Sequence, residues 1–165
     1  MSWRFTHVLA ALDFSDTASQ VARLAATEAA LHGARLTLLH VIAPQLIFMQ
    51  IPEQVLPPLV DMTARLRELA QGHLQRLAAE LGDLPAQPVL AVEESTDRIG
   101  QRIVDYGAGQ GADLIVVGSH THGGLERVLL GSVATYVVHH ARCPVLVHKT
   151  ARGGQGMEAP QTPGS

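Results

Sequence analysis

The chain has 165 residues, is 47% hydrophobic and carries a formal net charge of −3, enough for one domain with a sizeable core and too apolar for a disordered chain. No run of Lys or Arg stands out, which argues against nucleic-acid binding, because neutralising phosphates takes a basic face. Nothing approaches the roughly 18 apolar residues of a membrane span, HVLAALDF is too short for a signal core, and Cys143 is the single cysteine, so a soluble, cytoplasmic protein without disulfides is expected.

The first predicted element is the strand THVLAAL (6–12). It leads through ALDFSD into a helix with the stripe Ala18, Val21, Ala22, Ala25 and Ala29, Ser15 as N-cap and Gly33 just past the end. The strand RLTLLHVI (35–42) follows. The segment from about 43 to 58 reads as a long connection over the carboxyl edge of a sheet, where ligand-touching loops sit. Pro57 and Pro58 make the opening of the second helix irregular, and Leu59, Leu66, Leu69, Leu74, Leu77 and Leu81 form its stripe. Then come the strand QPVLAV (87–92), a helix marked by Ile99, Ile103 and Tyr106, and the strand DLIVVG (113–118). A last helix carries Val133, Tyr136, Val137, His140 and Ala141, and PVLVHK (144–149) is the fifth strand. The tail TARGGQGMEAPQTPGS has little to bury, so the chain divides into a domain over 1–150 and a disordered tail over 151–165.

Most of the apolar runs are continuous rather than alternating, the pattern of strands covered on both faces. Strands alternating with helices imply a parallel sheet with right-handed crossovers, a doubly wound α/β domain. In such a sheet, ligands bind beyond the carboxyl ends of the strands, where strand order reverses. Strand 1 ends in ALDFSD and strand 4 at Gly118, so Asp13 and Gly118 share a crevice if those strands are neighbours. There Asp13 either accepts hydrogen bonds from a ribose hydroxyl or base amino group, or it orients the turn before helix 1. Gly131-Ser132 opens the last helix. Either its free N–H groups, the helix dipole and the Ser132 hydroxyl favour an anion, with Gly131 allowing close approach, or Ser132 is an ordinary N-cap.

The segment 113–149, DLIVVGSHTHGGLERVLLGSVATYVVHHARCPVLVHK, with HVLAALDFSDTA and LTLLHVI, resembles universal stress protein domains. The resemblance covers nearly everything except the tail. It implies a Rossmann-like, open five-stranded parallel sheet of order 3-2-1-4-5 and a homodimer joined through strand 5. It also implies an adenine nucleotide, most often ATP and with or without Mg, at the carboxyl ends of strands 1, 2 and 4. Nucleotide-binding members carry Gly, two residues, Gly, nine residues, then Gly followed by Ser or Thr. Gly118 and Gly131-Ser132 fit that spacing, and Thr121 stands where the middle glycine belongs. A β-branched residue is disfavoured at positive φ, so Thr121 either hampers the loop or contributes its hydroxyl, with Gly123 and Gly124 following at once.

Carried over by position, Asp13 and the Val41 backbone hold the adenosine end, with Ala11 and Leu12 beside them. Gly118, His120 and Thr121, after Val117, follow the ribose and phosphates. Gly131, Ser132, Val133 and Ala134 meet the phosphates through backbone N–H groups. A second departure precedes helix 3, where members usually have Gly closely followed by Pro. Here the chain reads EESTDRIG, with Asp97 in the glycine's place and Ser95, Thr96 or Asp97 as cap.

Other chemistries are less well furnished. Structural zinc takes about four ligands, usually with cysteine, whereas His120 and His122 offer two and His139 and His140 lie toward the far end of the last helix. No metal site is expected. The Gly-x-Ser-x-Gly elbow and the Walker lysine are absent, so no catalytic residue is assigned and at most slow ATP hydrolysis is expected. Cys143 reads as a small buried residue. Two functions remain: a stress-response regulatory module binding ATP, ADP or AMP, and a nucleotide-independent dimeric scaffold or interaction protein of the same fold.

Overall fold

Val8, Ala10 and Leu12 face one side of the first strand run and Leu9 the other, and each side meets its own apolar cluster. The structure, a computed structural model, describes residues 4–44, 59–84, 87–96, 98–119 and 130–149. The elements in chain order are β1 (His7–Ala11), α1 (Ala18–His32), β2 (Arg35–Ile42), α2 (Leu59–Glu80), β3 (Val89–Glu94), α3 (Ile99–Gly109), β4 (Leu114–Gly118), α4 (Ser132–His140) and β5 (Val145–His148). The sheet is parallel throughout, in the expected order β3-β2-β1-β4-β5. Helices α1 and α2 contribute to the cluster on one face, and α3 and α4 to the cluster on the other. The predicted tail lies outside the described residues, as do residues 45–58 of the long connection.

Small residues let α1 lie close to the sheet, since Ala18, Val21, Ala22, Ala25, Ala26 and Ala29 are all buried. The helix stops at Gly33, whose φ of 62° is left-handed; its N–H reaches the Ala30 carbonyl at 3.3 Å while Ala34 N–H reaches Ala29 at 2.8 Å, closing the orphan carbonyls. The cap position is Thr17 rather than Ser15. Ser15 is occupied elsewhere: its N–H and its hydroxyl both donate to Asp13 Oδ1.

The stripe of α2 also differs from expectation at one position. Ala70, Leu74 and Leu77 are buried, but Leu69 is 63% exposed. At about 100° per residue, Leu69 falls one step off the line that faces the sheet. The Leu59 side chain lies outside the described residues. In α4, Val137 is buried while His140 is exposed and stacks on Tyr136, with ring centroids 3.9 Å apart. Arg98 holds the cap position of α3, and Ser95 Oγ accepts its N–H at 3.1 Å; Asp97 is outside the described residues.

Strand β3 runs to Glu94, two residues beyond the predicted end. Charge does not end it because Arg102 pairs with Glu93 and Arg67 with Glu94. At the amino ends of the strands, Asp113 accepts the Thr6 N–H at 2.8 Å, the Thr6 hydroxyl at 2.7 Å and the His7 N–H at 2.9 Å, tying β1 to the start of β4. Cys143 is half-buried rather than buried, and burial, then the charge of Asp113, pushes its thiol pKa up. Among the described residues no helix is long and apolar enough to cross a membrane.

Candidate functional site

Register brings the carboxyl ends of three strands level. Ala11 lies opposite Leu39 of β2 on one side and Val117 of β4 on the other, so the residues that follow share one rim. Above that rim is a cleft of about 930 Å³, within the range of about 300–1,000 Å³ usual for small-molecule sites. Leu39, Val41 and Val117 line it from the strands, Ile99 and Ile103 from α3, and Leu66 from α2. Polar groups stand after β1 at Asp13, Ser15 and Thr17, in β2 at His40, and at the start of α4 at Gly131-Ser132.

Every described member of the predicted set lines this cleft: Ala11, Leu12, Asp13, Val41, Val117, Gly118, Gly131, Ser132, Val133 and Ala134. His120, Thr121 and His122 lie outside the described residues. Among the described residues no group of three or more His, Cys, Asp or Glu is placed to hold a metal ion.

Asp13 combines the two roles that its position left open. Its Oδ1 accepts the Ser15 N–H at 3.0 Å and the Ser15 hydroxyl, so it organises the turn into α1. Its Oδ2 takes no bond from a described residue, and the side chain is exposed on the cleft. One oxygen holds the turn, and the other is available to a ligand donor.

The start of α4 is equally informative. The cap position is Gly131, with φ −58° and ψ 158°, and among the described residues no side chain caps the helix. Ser132 is therefore the first helical residue rather than the cap, and its exposed hydroxyl is not used as a cap. The first N–H groups of a helix have no partner within it, and Ser132, Val133 and Ala134, which carry them here, all line the cleft. Gly131 has a backbone conformation that any residue adopts, so its φ does not call for glycine. Gly118 serves closeness: a Cβ on it would lie 3.3 Å from Val21 Cγ2.

Two cleft-lining residues, His40 and Phe14, and one that touches the Asp13 turn, His73, escaped the reading of spacing. His40 is buried in β2 and its Nδ1 donates to the Leu12 carbonyl at 2.8 Å. Burial holds His40 below the ordinary histidine value of 6.5; the Leu12 carbonyl raises it, His73 lowers it and Asp13 raises it, without reversing the direction. Phe14, 52% exposed at the cleft, has its ring centroid 4.5 Å from that of His40. His73 of α2 donates from Nε2 to the Asp13 carbonyl at 2.9 Å. A histidine inside RLTLLHVI was a visible signal, since a buried polar group needs a partner. Nothing in its surroundings marked His73.

The geometry can be set beside known proteins. A universal stress protein of Thermus aquaticus is 32% identical over 143 residues, covering 87% of this chain and 98% of that protein. One of Mycolicibacterium smegmatis is 32% identical over 140 residues, 85% of this chain, which spans about half (47%) of that longer relative. Among solved structures, the universal stress protein UspA from Lactobacillus plantarum superposes with a TM-score of 0.73 at 26% identity, covering 88% of this chain and 99% of its own. Two further neighbours, a universal stress protein in complex with cAMP and one from Archaeoglobus fulgidus in complex with dAMP, share the fold at 19% and 21% identity, with TM-scores of 0.63 and 0.60. They cover 90% and 88% of this chain and 100% and 98% of their own. The profile of the Universal stress protein family matches residues 4–149, and the chain belongs to that family.

Proposed function

We propose that the protein is a stress-response regulator that binds an adenine nucleotide, ATP, ADP or AMP, in the cleft above β1, β2 and β4. Asp13 and the Val41 backbone take the nucleoside end. The N–H groups of Ser132, Val133 and Ala134, with the Ser132 hydroxyl, take the phosphates, with or without Mg²⁺. His120 and Thr121 belong to the loop between these ends. The observation that carries the reading is one cleft with, among the described residues, an unbonded carboxylate oxygen after β1 and a helix start capped by no side chain at Gly131, separated by apolar lining. That arrangement suits a ligand with hydrogen-bond donors at one end, a flat apolar ring and an anion at the other. The cAMP and dAMP complexes of two fold neighbours support the choice of adenine.

Calorimetry with ATP on wild type and Gly131→Val tests it. Val can adopt the backbone angles of Gly131, so the substitution adds a side chain at the helix start without straining the backbone. Saturable binding by wild type and at least tenfold weaker binding by the variant are expected. No saturable binding at millimolar ATP defeats the reading and leaves the nucleotide-independent scaffold.

A second copy of the chain is the expected partner, joined through β5. The two edges of the sheet differ in a way that favours this edge. At β3, Arg67 donates to the Val92 carbonyl at 2.9 Å and so guards that edge. Among the described residues β5 carries no such guard. Pro144 and His148 carbonyls accept from Ile115 and Ser119 on the β4 side, so alternation turns the backbone groups of Val145 and Val147 outward. The cytoplasm is the proposed location, where an unpaired Cys143 is ordinary.

A further inference from the structure

Two successive carbonyls leave β1, and a histidine from a different element takes each one. His40 of β2 holds the Leu12 carbonyl at 2.8 Å, and His73 of α2 holds the Asp13 carbonyl at 2.9 Å. The Phe14 ring lies against both imidazoles, with centroids 4.5 Å from His40 and 4.8 Å from His73. The Leu12 N–H is already bonded to the Leu39 carbonyl at 2.8 Å. Asp13 Oδ1 is bonded to Ser15, and Oδ2 takes no bond from a described residue.

His73 is not needed to anchor its own helix. Ala70, Leu74 and Leu77 do the burying, and His73 sits half-buried beside them. Its ring reaches across to a turn that is 60 residues away in sequence. Without that bond the Asp13 turn keeps its link to Ser15 but loses its tie to α2, and the carboxylate samples more orientations. Affinity then falls in proportion to the fraction of molecules with the productive one.

We propose that His73 is a positioning residue of the cleft: through the Asp13 carbonyl and the Phe14 ring, it holds the Asp13 carboxylate toward the nucleoside end of the ligand. This rests on the nucleotide reading above.

The test uses the intact chain, with ATP and adenosine titrated calorimetrically and the thermal midpoint measured alongside. His73→Leu keeps a helix-forming, ring-sized side chain against Phe14 and removes the donor. It is expected to bind ATP about three- to tenfold more weakly, the scale of one hydrogen bond. Adenosine should lose the same factor, because the phosphates are not involved. His73→Gln, which restores an N–H donor at similar reach, should recover most of the affinity. In an Asp13→Ala background, His73→Leu should change ATP affinity less than twofold, since no carboxylate remains to be held. Wild type that binds ATP while His73→Leu binds within twofold of it overturns this inference and leaves the nucleotide reading standing. An undiminished loss in the Asp13→Ala background also overturns it, because His73 would then act on the fold as a whole. Failure of wild type to bind ATP overturns the nucleotide reading, and the inference falls with it.

Discussion

Gly100 lies in the first turn of α3, where α4 crosses it, and replacing it with alanine sets two effects against each other. Removing a glycine from a helix stabilises by about 0.5–1 kcal/mol through the unfolded state. Against that, a Cβ on Gly100 falls 2.8 Å from Tyr136 Cβ, 3.0 Å from its Cγ and 3.1 Å from its Cδ1. Contacting carbons normally sit about 3.5–4.0 Å apart, so the helices must part by nearly 1 Å. Tyr136 cannot swing clear, because the closest atom is its Cβ, fixed to the α4 backbone. Overpacking costs about 1–3 kcal/mol, and a contact that no rotamer relieves belongs in the upper half. Gly100→Ala should therefore lose about 1–2 kcal/mol net, lowering the thermal midpoint by about 2–8 °C for a domain of this size.

Gly72 provides the control. It is interior to α2, and nothing lies within 4 Å of its would-be Cβ, so Gly72→Ala keeps the helix gain and should raise the midpoint by about 1–4 °C. Urea and thermal unfolding by circular dichroism, at one fixed protein concentration because association would shift the midpoint, measures both. Gly100→Ala as stable as wild type, beside a stabilised Gly72→Ala, refutes the reasoning, because the α3–α4 crossing would then yield freely. Ile99 and Ile103 line the cleft from α3, and Ser132 opens α4. Parting these helices should also weaken ATP binding in Gly100→Ala relative to Gly72→Ala.

Asp113→Ala should cost about 1–2 kcal/mol in urea unfolding, through loss of hydrogen bonds to a charged acceptor at a half-exposed site. Burial pushes the Asp113 carboxyl pKa up, but hydrogen bonds from His7 and Thr6 outweigh it and hold the value below 3.8. The stability that Asp113 contributes is thus present above about pH 4 and lost as pH falls through the lowered value; a wild type insensitive to acid in that range would contradict this. Burial, foremost, also holds His7 and His40 below 6.5. The fold prefers both neutral, so the thermal midpoint should start to fall as pH drops below about 6.5, and a midpoint that rises instead would count against it. Val147→Pro removes an outward N–H without breaking the β4 ladder, and it should shift the light-scattering mass from two chains toward one. A monomeric wild type at tens of micromolar, or an intact dimer in a folded Val147→Pro, defeats the β5 interface.

What the sequence made legible follows from which forces act locally. Buried parallel strands have no polar face, so five apolar runs, most of them continuous, located the sheet, and β2 was placed to the residue at Arg35–Ile42. Errors fell where a distant partner decides. Glu93 and Glu94 look like the end of a strand until Arg102 and Arg67 pair with them. Ser15 is a good cap residue, but the Asp13 carboxylate claims it and the cap passes to Thr17. Leu69 has the composition of a core position, and only the rotation of α2 against the sheet turns it outward. The candidate site was legible to the extent that topology gathers it. Once β1, β2 and β4 end level, Asp13, Val41, Gly118 and Gly131 have to meet. The bracing of that site was not legible, for a physical reason. His40 announces a need, because an imidazole in an apolar strand must find a partner. His73 sits in LAQGHLQR, where a solvated side chain costs nothing, so its bond to Asp13 leaves no trace in local pattern. A residue of this kind is visible only in the folded chain, and a helix-surface histidine facing a ligand-bearing turn is where such a brace should be sought.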